Sequence, residues 1–157
     1  MIKFFKSKSA FSIIMMIVTA AYIGFIWFNS TMNAEESTVE SLSVLDFLNN
    51  LLKSVGLGDN LTDNIVRKSA HFCEFALLGC LSTWTGWLLN KRIIRNLTTI
   101  GFVCLATAVV DEYIQLFSAG RSAQIDDVLL DFSGAVAGFV FFLLVHLIVR
   151  TIKKAKR

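Results

Sequence analysis

The side chains that could do chemistry are concentrated in residues 111–138, between two apolar runs that are each long enough to cross a membrane. Carboxylate, amide and guanidinium groups are costly in hydrocarbon, so they normally face a bundle interior or a wet cavity, and there they mark functional sites. Carboxylates can act as general acids and bases, whereas a guanidinium binds phosphate or carboxylate with two hydrogen bonds. The groups in question are Asp111, Glu112, Gln115, Arg121, Asp126, Asp127 and Asp131.

A second set of polar side chains lies at the start of an earlier apolar run. His71 and Glu74 are three residues apart, so they share one face of a helix, and Arg67 and Lys68 precede them. His71 could serve as a general base, a metal ligand or a polar contact between helices. Carboxylates with one histidine suit Mg²⁺, Mn²⁺ or Zn²⁺, but no H-E-x-x-H spacing supports a metal, so the sequence leaves any cofactor open.

Composition indicates a membrane protein made of a few long helices. Of the 157 residues 55% are hydrophobic and none is proline, and the mean hydropathy is +0.63. The basic clusters each adjoin an apolar run, so they indicate membrane orientation and exclude nucleic acid as a partner. The three cysteines lie in apolar segments without C-x-x-C spacing, which is typical of small buried hydrophobes.

The apolar runs predict four transmembrane helices in one all-α domain that covers residues 1–157. About 20 apolar residues cross a hydrocarbon core of about 30 Å. The first run is too long for a signal peptide and no A-x-A site follows it, so an uncleaved anchor is expected. The predicted spans cover about residues 10–28, 69–89, 97–117 and 128–149.

An amphipathic helix is predicted between the first and second spans, at about residues 39–56. Leucines recur there at steps of three and four residues, and Gly56 and Gly58 close the segment. The segment is too short and too polar to span a bilayer. It would lie on the bilayer surface or pack over the mouth of the bundle, and the sequence does not separate these alternatives.

The distribution of lysine and arginine predicts the orientation. The N-terminus, the turn at residues 91–96 and the C-terminal tail are all basic, which places both termini in the cytoplasm. The amphipathic helix and the loop at residues 118–126 then face outward. Because the second helix starts, the third ends and the fourth starts on that side, the polar residues of all three should meet in one pocket at the outer membrane face.

Spacing within the fourth span predicts which of its faces turns inward. Asp127, Asp131, Gly134 and Gly138 follow i, i+4, i+7, i+11, and small residues let a neighbouring helix approach closely. Asp126 or Asp127 could instead cap the helix start, whereas Asp131 lies too far inside for capping, and Thr62 or Asp63 could cap the second span. Arg121 either neutralises these carboxylates or binds an anion.

Four motifs follow one another in the second half of the chain: Lys68-x-x-His71, Asp111-Glu112-x-x-Gln115, Gly120-Arg121 and Asp127-Val-Leu-Leu-Asp131-x-x-Gly134-x-x-x-Gly138. In this order and spacing they resemble the VanZ-like family of small membrane proteins, over roughly residues 65–140. The resemblance implies a role at the bacterial cell envelope, and the founding member is linked to teicoplanin resistance. Asp131 departs from the family pattern, which usually has asparagine at this position.

Two classes of function are expected. The first is an envelope protein that lowers glycopeptide or lipoglycopeptide action by altering, binding or shielding a surface target or lipid. Its ligand-binding candidates are Lys68, Gln115, Arg121, Asp126 and Asp131. The second is an enzyme acting on a lipid or glycolipid head group, with catalytic candidates His71, Glu74, Asp111, Glu112 and Asp127. The expected partners are the bilayer and a lipid-linked envelope precursor, a lipid head group or a glycopeptide. A carrier is disfavoured because the polar residues stop in the outer third of the bundle.

Overall fold

A computed structural model describes residues 2–54, 61–90 and 93–156. These residues form helices joined by short connections and contain no β-strand. The helices are α1 (Ile2–Ser30), α2 (Ala34–Ser54), α3 (Asp63–Asn90), α4 (Ile93–Gln115) and α5 (Ile125–Ala155). Four of them, α1, α3, α4 and α5, are long and apolar enough to cross a membrane. The predicted all-α architecture with four transmembrane helices is therefore confirmed.

Most helix boundaries extend beyond the predicted spans because polar turns continue the helices past their apolar parts, whereas α4 ends at Gln115, two residues before its predicted end. α3 begins at Asp63, and its predicted cap is confirmed, since Thr62 Oγ1 accepts a hydrogen bond from the Ile65 amide at 3.4 Å. The predicted capping of α5 by Asp126 or Asp127 is wrong. Gln124 occupies that N-cap without a side-chain bond, and both aspartates lie in the first helical turn. Gly56, Gly58, Lys91 and Arg92 lie outside the described residues.

Glycines bring α3 and α5 into backbone contact. A Cβ atom added to Gly134 would lie 2.4 Å from the Phe72 carbonyl oxygen, and one added to Gly138 would lie 1.8 Å from that of Ala76. The contact is reciprocal, because a Cβ on Gly79 would lie 2.0 Å from the Ala135 carbonyl oxygen. The predicted close approach along this stripe is therefore confirmed, and it sets the spacing between the two helices.

The core joins all four long helices. Its buried members are Ile26, Phe75, Leu78, Ile100, Cys104, Ala108 and Ala135. α1 is also tied to its neighbours by polar contacts: the hydroxyls of Thr19 and Thr85 are 2.9 Å apart, and Trp27 donates to the Thr107 carbonyl at 3.3 Å. Large apolar side chains cover the outside of the bundle, as expected in lipid.

The end of the bundle at which α1 and α4 end and α3 and α5 begin is called the polar end here. α2 packs against α3 at this end, and its Ala34 amide donates to the Ala119 carbonyl at 3.0 Å. Ser41 donates a hydrogen bond to Asp63 at the start of α3. These contacts match the predicted alternative in which the amphipathic helix packs over the mouth of the bundle.

Candidate functional site

A cavity of about 80 Å³ opens at the polar end, and we call it the polar pocket. α3, α4, α5 and the connection between α4 and α5 all contribute to its wall. The lining residues are Arg67, Lys68, His71, Glu112, Gln115, Gly120, Arg121, Ser122, Gln124, Asp127, Leu130 and Asp131. Most of the residues that the sequence predicts for one pocket therefore do meet there.

Three predicted site residues do not line the polar pocket. Asp126 is exposed, because it is rotated about 100° around α5 from its inward-facing neighbour Asp127. Glu74 lies next to α1, where Asn29 donates to its carboxylate at 3.1 Å, and it lines a second cavity between α2 and α3. Asp111 is fully buried beside the pocket and adjoins His71 and Asp131.

A cluster of three potential metal ligands lies at the base of the pocket. One donor atom each of His71, Asp111 and Asp131 lies within 4.8 Å of the other two. His71 Nδ1 is 3.8 Å from Asp131 Oδ1, which is too long for a hydrogen bond. Each residue comes from a different helix, so the packing of α3, α4 and α5 assembles the cluster.

Asp111 is held in place by two neighbours. Gln115 Nε2, one turn further along α4, donates to Asp111 Oδ2 at 2.9 Å, as their predicted shared face requires. Ser30 donates to Asp111 Oδ1 from the end of α1. Ser30 was not predicted as a site residue, because a serine at the end of a helix does not by itself indicate a functional role. Ser118 Oγ in turn donates to the Ser30 carbonyl at 2.8 Å.

Glu112 fixes the connection that carries Arg121. Its Oε2 accepts a hydrogen bond from the Gln124 amide at 2.9 Å, immediately before α5. Gly120 adopts φ +76°, a backbone conformation that residues with a side chain rarely adopt. The Arg121 amide then donates to the Ser118 carbonyl at 3.1 Å. This turn directs Arg121 into the pocket.

The two cations of the pocket differ in their partners. Lys68 Nζ pairs with Asp127 Oδ1 at 2.8 Å. The buried Nε of Arg121 has no hydrogen-bond partner among the described residues. Burial and the neighbouring Arg67 lower the pKa of Arg121, whereas the carboxylates of Asp111 and Glu112 oppose that shift. The guanidinium nevertheless remains charged at neutral pH. Arg121 is therefore a cation whose Nε–H is available to donate a hydrogen bond.

An apolar groove of about 400 Å³ runs between α2 and α3 and adjoins the polar pocket. Arg67, His71 and Arg121 border both cavities. The apolar side chains lining the groove include Met32, Val44, Leu48, Leu61, Ile65 and Val66. A polar cavity lined by three basic and three acidic side chains thus continues into a mainly apolar one, which suits a molecule with a polar head and a hydrocarbon part.

The comparisons with known proteins give one match. A family model described as VanZ/LLP1 matches residues 11–146, which include all five helices in whole or in part. No curated protein and no solved structure matches the chain.

Proposed function

Because the chain belongs to the VanZ/LLP1 family of membrane proteins, we propose that it acts at the bacterial cell envelope by binding an anionic amphiphile. In this proposal the polar pocket holds the head group, and the apolar groove holds the hydrocarbon part. The candidate amphiphiles share one chemistry, an anionic group and an acyl or prenyl chain in the same molecule. Lipid-linked envelope precursors, lipid head groups and lipoglycopeptides of the teicoplanin type all meet that description.

The observation that carries the proposal is the placement of Arg121. This residue borders both cavities, and its buried Nε has no hydrogen-bond partner among the described residues. A buried donor that remains unpaired costs about 1–3 kcal/mol. An anionic head group would pair with this guanidinium and remove that cost. Lys68, already paired with Asp127, is the less available cation.

Lysine and arginine bias supports an outward-facing polar pocket. Arg150, Lys153 and Lys154 are exposed at the end of α5 furthest from the polar end. Cationic residues next to a span favour the cytoplasmic side. This bias supports the proposal that both termini lie in the cytoplasm, and that α2 and the polar pocket lie on the outer side, where envelope precursors and lipoglycopeptides are accessible.

The function is tested by teicoplanin susceptibility in a Gram-positive host that expresses the chain. Wild type should raise the inhibitory concentration above that of an empty vector, by binding or shielding the surface target. Arg121→Ala should give an inhibitory concentration close to that of the empty vector, because the head group can no longer pair with the Arg121 guanidinium. Arg150→Ala, which changes an exposed arginine at the opposite end, should protect like wild type.

Membrane levels of all variants must be matched in this comparison. Lack of protection by well-expressed wild type would remove teicoplanin from the proposal. Equal protection by Arg121→Ala and wild type would place the function outside the polar pocket.

A second candidate function is hydrolysis or transfer at a lipid or glycolipid head group. The specific observation in its favour is that His71 and Glu112 line the same pocket as Arg121, which puts a potential acid and base beside a bound anion. An enzyme would release a chemically changed head group, whereas a binding protein would return its ligand unchanged. Mass spectrometry of the recovered amphiphile separates the two, with Glu112→Gln as the near-isosteric variant.

A further inference from the structure

The cluster of His71, Asp111 and Asp131 contains two fully buried carboxyl groups, and that of Asp131 has no hydrogen-bond partner among the described residues. Asp111 is 0% and Asp131 1% exposed. Neither carboxylate oxygen of Asp131, nor Nδ1 of His71, has a hydrogen-bond partner among the described residues. A buried carboxyl group stays ionised when it is paired, hydrogen-bonded or bound to a metal, and otherwise it takes up a proton.

Contacts with other described parts of the protein do not compensate for this burial. Ser30 and Gln115 donate hydrogen bonds to Asp111, but neither carries a charge. The positive charge of Arg121 acts on Asp111, but among the described residues Arg121 forms no ion pair with either aspartate. A protonated His71 would supply one further positive charge, and at 3.8 Å it is too distant to form a hydrogen bond with Asp131. A dication placed between the three side chains would neutralise both carboxylates at once.

We propose that His71, Asp111 and Asp131 bind one divalent transition-metal ion, of which Zn²⁺ and Mn²⁺ fit the donors. Imidazole suits Zn²⁺ and carboxylates suit Mn²⁺, whereas Mg²⁺ prefers oxygen ligands and water. Zinc–ligand bonds of about 2.1 Å place the ligand atoms of a tetrahedral site roughly 3.4 Å apart. The three ligand atoms now lie within 4.8 Å of one another, so metal binding requires them to approach by up to about 1.4 Å.

The surroundings are those of a metal site. Ser30 and Gln115 orient the Asp111 carboxylate, as outer residues orient metal ligands in proteins. Backbone contact at Gly134 fixes the distance between the helices that carry His71 and Asp131. Three protein ligands would leave at least one coordination position free, and the polar pocket, which His71 and Asp131 line, gives access to the cluster. The inference rests on the cluster alone and does not require the proposed amphiphile binding.

The test uses the full chain, purified in detergent, stripped with a chelator and titrated with Zn²⁺, Mn²⁺ or Mg²⁺ alone. We expect one Zn²⁺ or Mn²⁺ per chain, measured by calorimetry and elemental analysis, and a rise in Tm on loading, because a ligand of the folded state stabilises it. Asp131→Asn, which keeps the side-chain shape, and His71→Ala should each weaken binding at least about tenfold. Asp46→Asn, an exposed carboxylate on α2, should bind like wild type.

The Tm of each metal-free variant checks that it is folded. Wild type that takes up no stoichiometric Zn²⁺ or Mn²⁺ would overturn the proposal. So would folded Asp131→Asn and His71→Ala variants that bind with wild-type affinity, since the metal would then lie elsewhere.

Discussion

A Gly138→Leu variant is expected to lose most of its folded protein. A Cβ atom at this position would lie 1.8 Å from the Ala76 carbonyl oxygen and 2.7 Å from the carbonyl carbon. These are backbone atoms of α3, so no side-chain rotation can relieve the overlap, and α5 must move away. Overpacking typically lowers the free energy of unfolding by about 1–3 kcal/mol. Because a whole helix must be displaced here, the loss should be at or above the upper value.

Gly101→Leu is the matched control. Gly101 also lies in a membrane-spanning helix, but a Cβ atom there would approach no atom of another helix within 4 Å. The same leucine should therefore leave the Tm in detergent and the yield of folded protein near those of wild type. A Gly138→Leu protein that melts like Gly101→Leu would contradict the close packing of α3 and α5.

The Arg121→Ala variant is expected to bind anionic amphiphiles roughly ten- to a hundredfold more weakly. Hydrogen bonds to charged groups contribute about 1.5–3 kcal/mol, and each 1.4 kcal/mol is about a tenfold change in Kd. We expect Arg121 to contribute this full amount to binding, because its buried Nε has no hydrogen-bond partner among the described residues. Native mass spectrometry with phosphatidylglycerol, and with phosphatidylcholine for comparison, measures the loss.

Arg150→Ala separates this contact from the general effect of removing a cation. Arg150 is exposed near the opposite end of α5, so its loss should leave phosphatidylglycerol binding unchanged. Equal weakening in both variants would mean that net charge, and not the polar pocket, governs lipid binding. If Arg121→Ala binds phosphatidylglycerol with wild-type affinity, the proposed contact between Arg121 and the head group is contradicted.

Sequence spacing predicted the features that depend on a single helix. The stripe of Asp131, Gly134 and Gly138 faces inward as expected, because helix geometry fixes which residues share a face. The pairing of Gln115 with Asp111 follows from the same geometry. The identity of the cap on α5 did not follow, because Gln124 is an uncommon capping residue and the adjacent aspartates are common ones.

Features that depend on neighbouring helices were harder to predict. His71 and Glu74 share a helix face, but α3 packs against several helices, and Glu74 turns to Asn29 on α1 and away from the polar pocket. Ser30 became recognisable only when α1 was placed beside Asp111. The apolar groove likewise depends on how α2 lies over α3, which the amphipathic pattern alone left open.

The central claim is that the polar pocket lies at the outer face and holds an anionic head group. The most direct test of this claim measures how fast the cysteine of a Ser122→Cys protein is modified. Ser122 is exposed and lines the pocket, and the other cysteines, Cys73, Cys80 and Cys104, would be replaced by alanine. We predict that a membrane-impermeant maleimide modifies this cysteine on intact cells, and that short-chain phosphatidylglycerol slows the reaction. Modification only after permeabilisation, or a rate that the lipid leaves unchanged, would contradict the account.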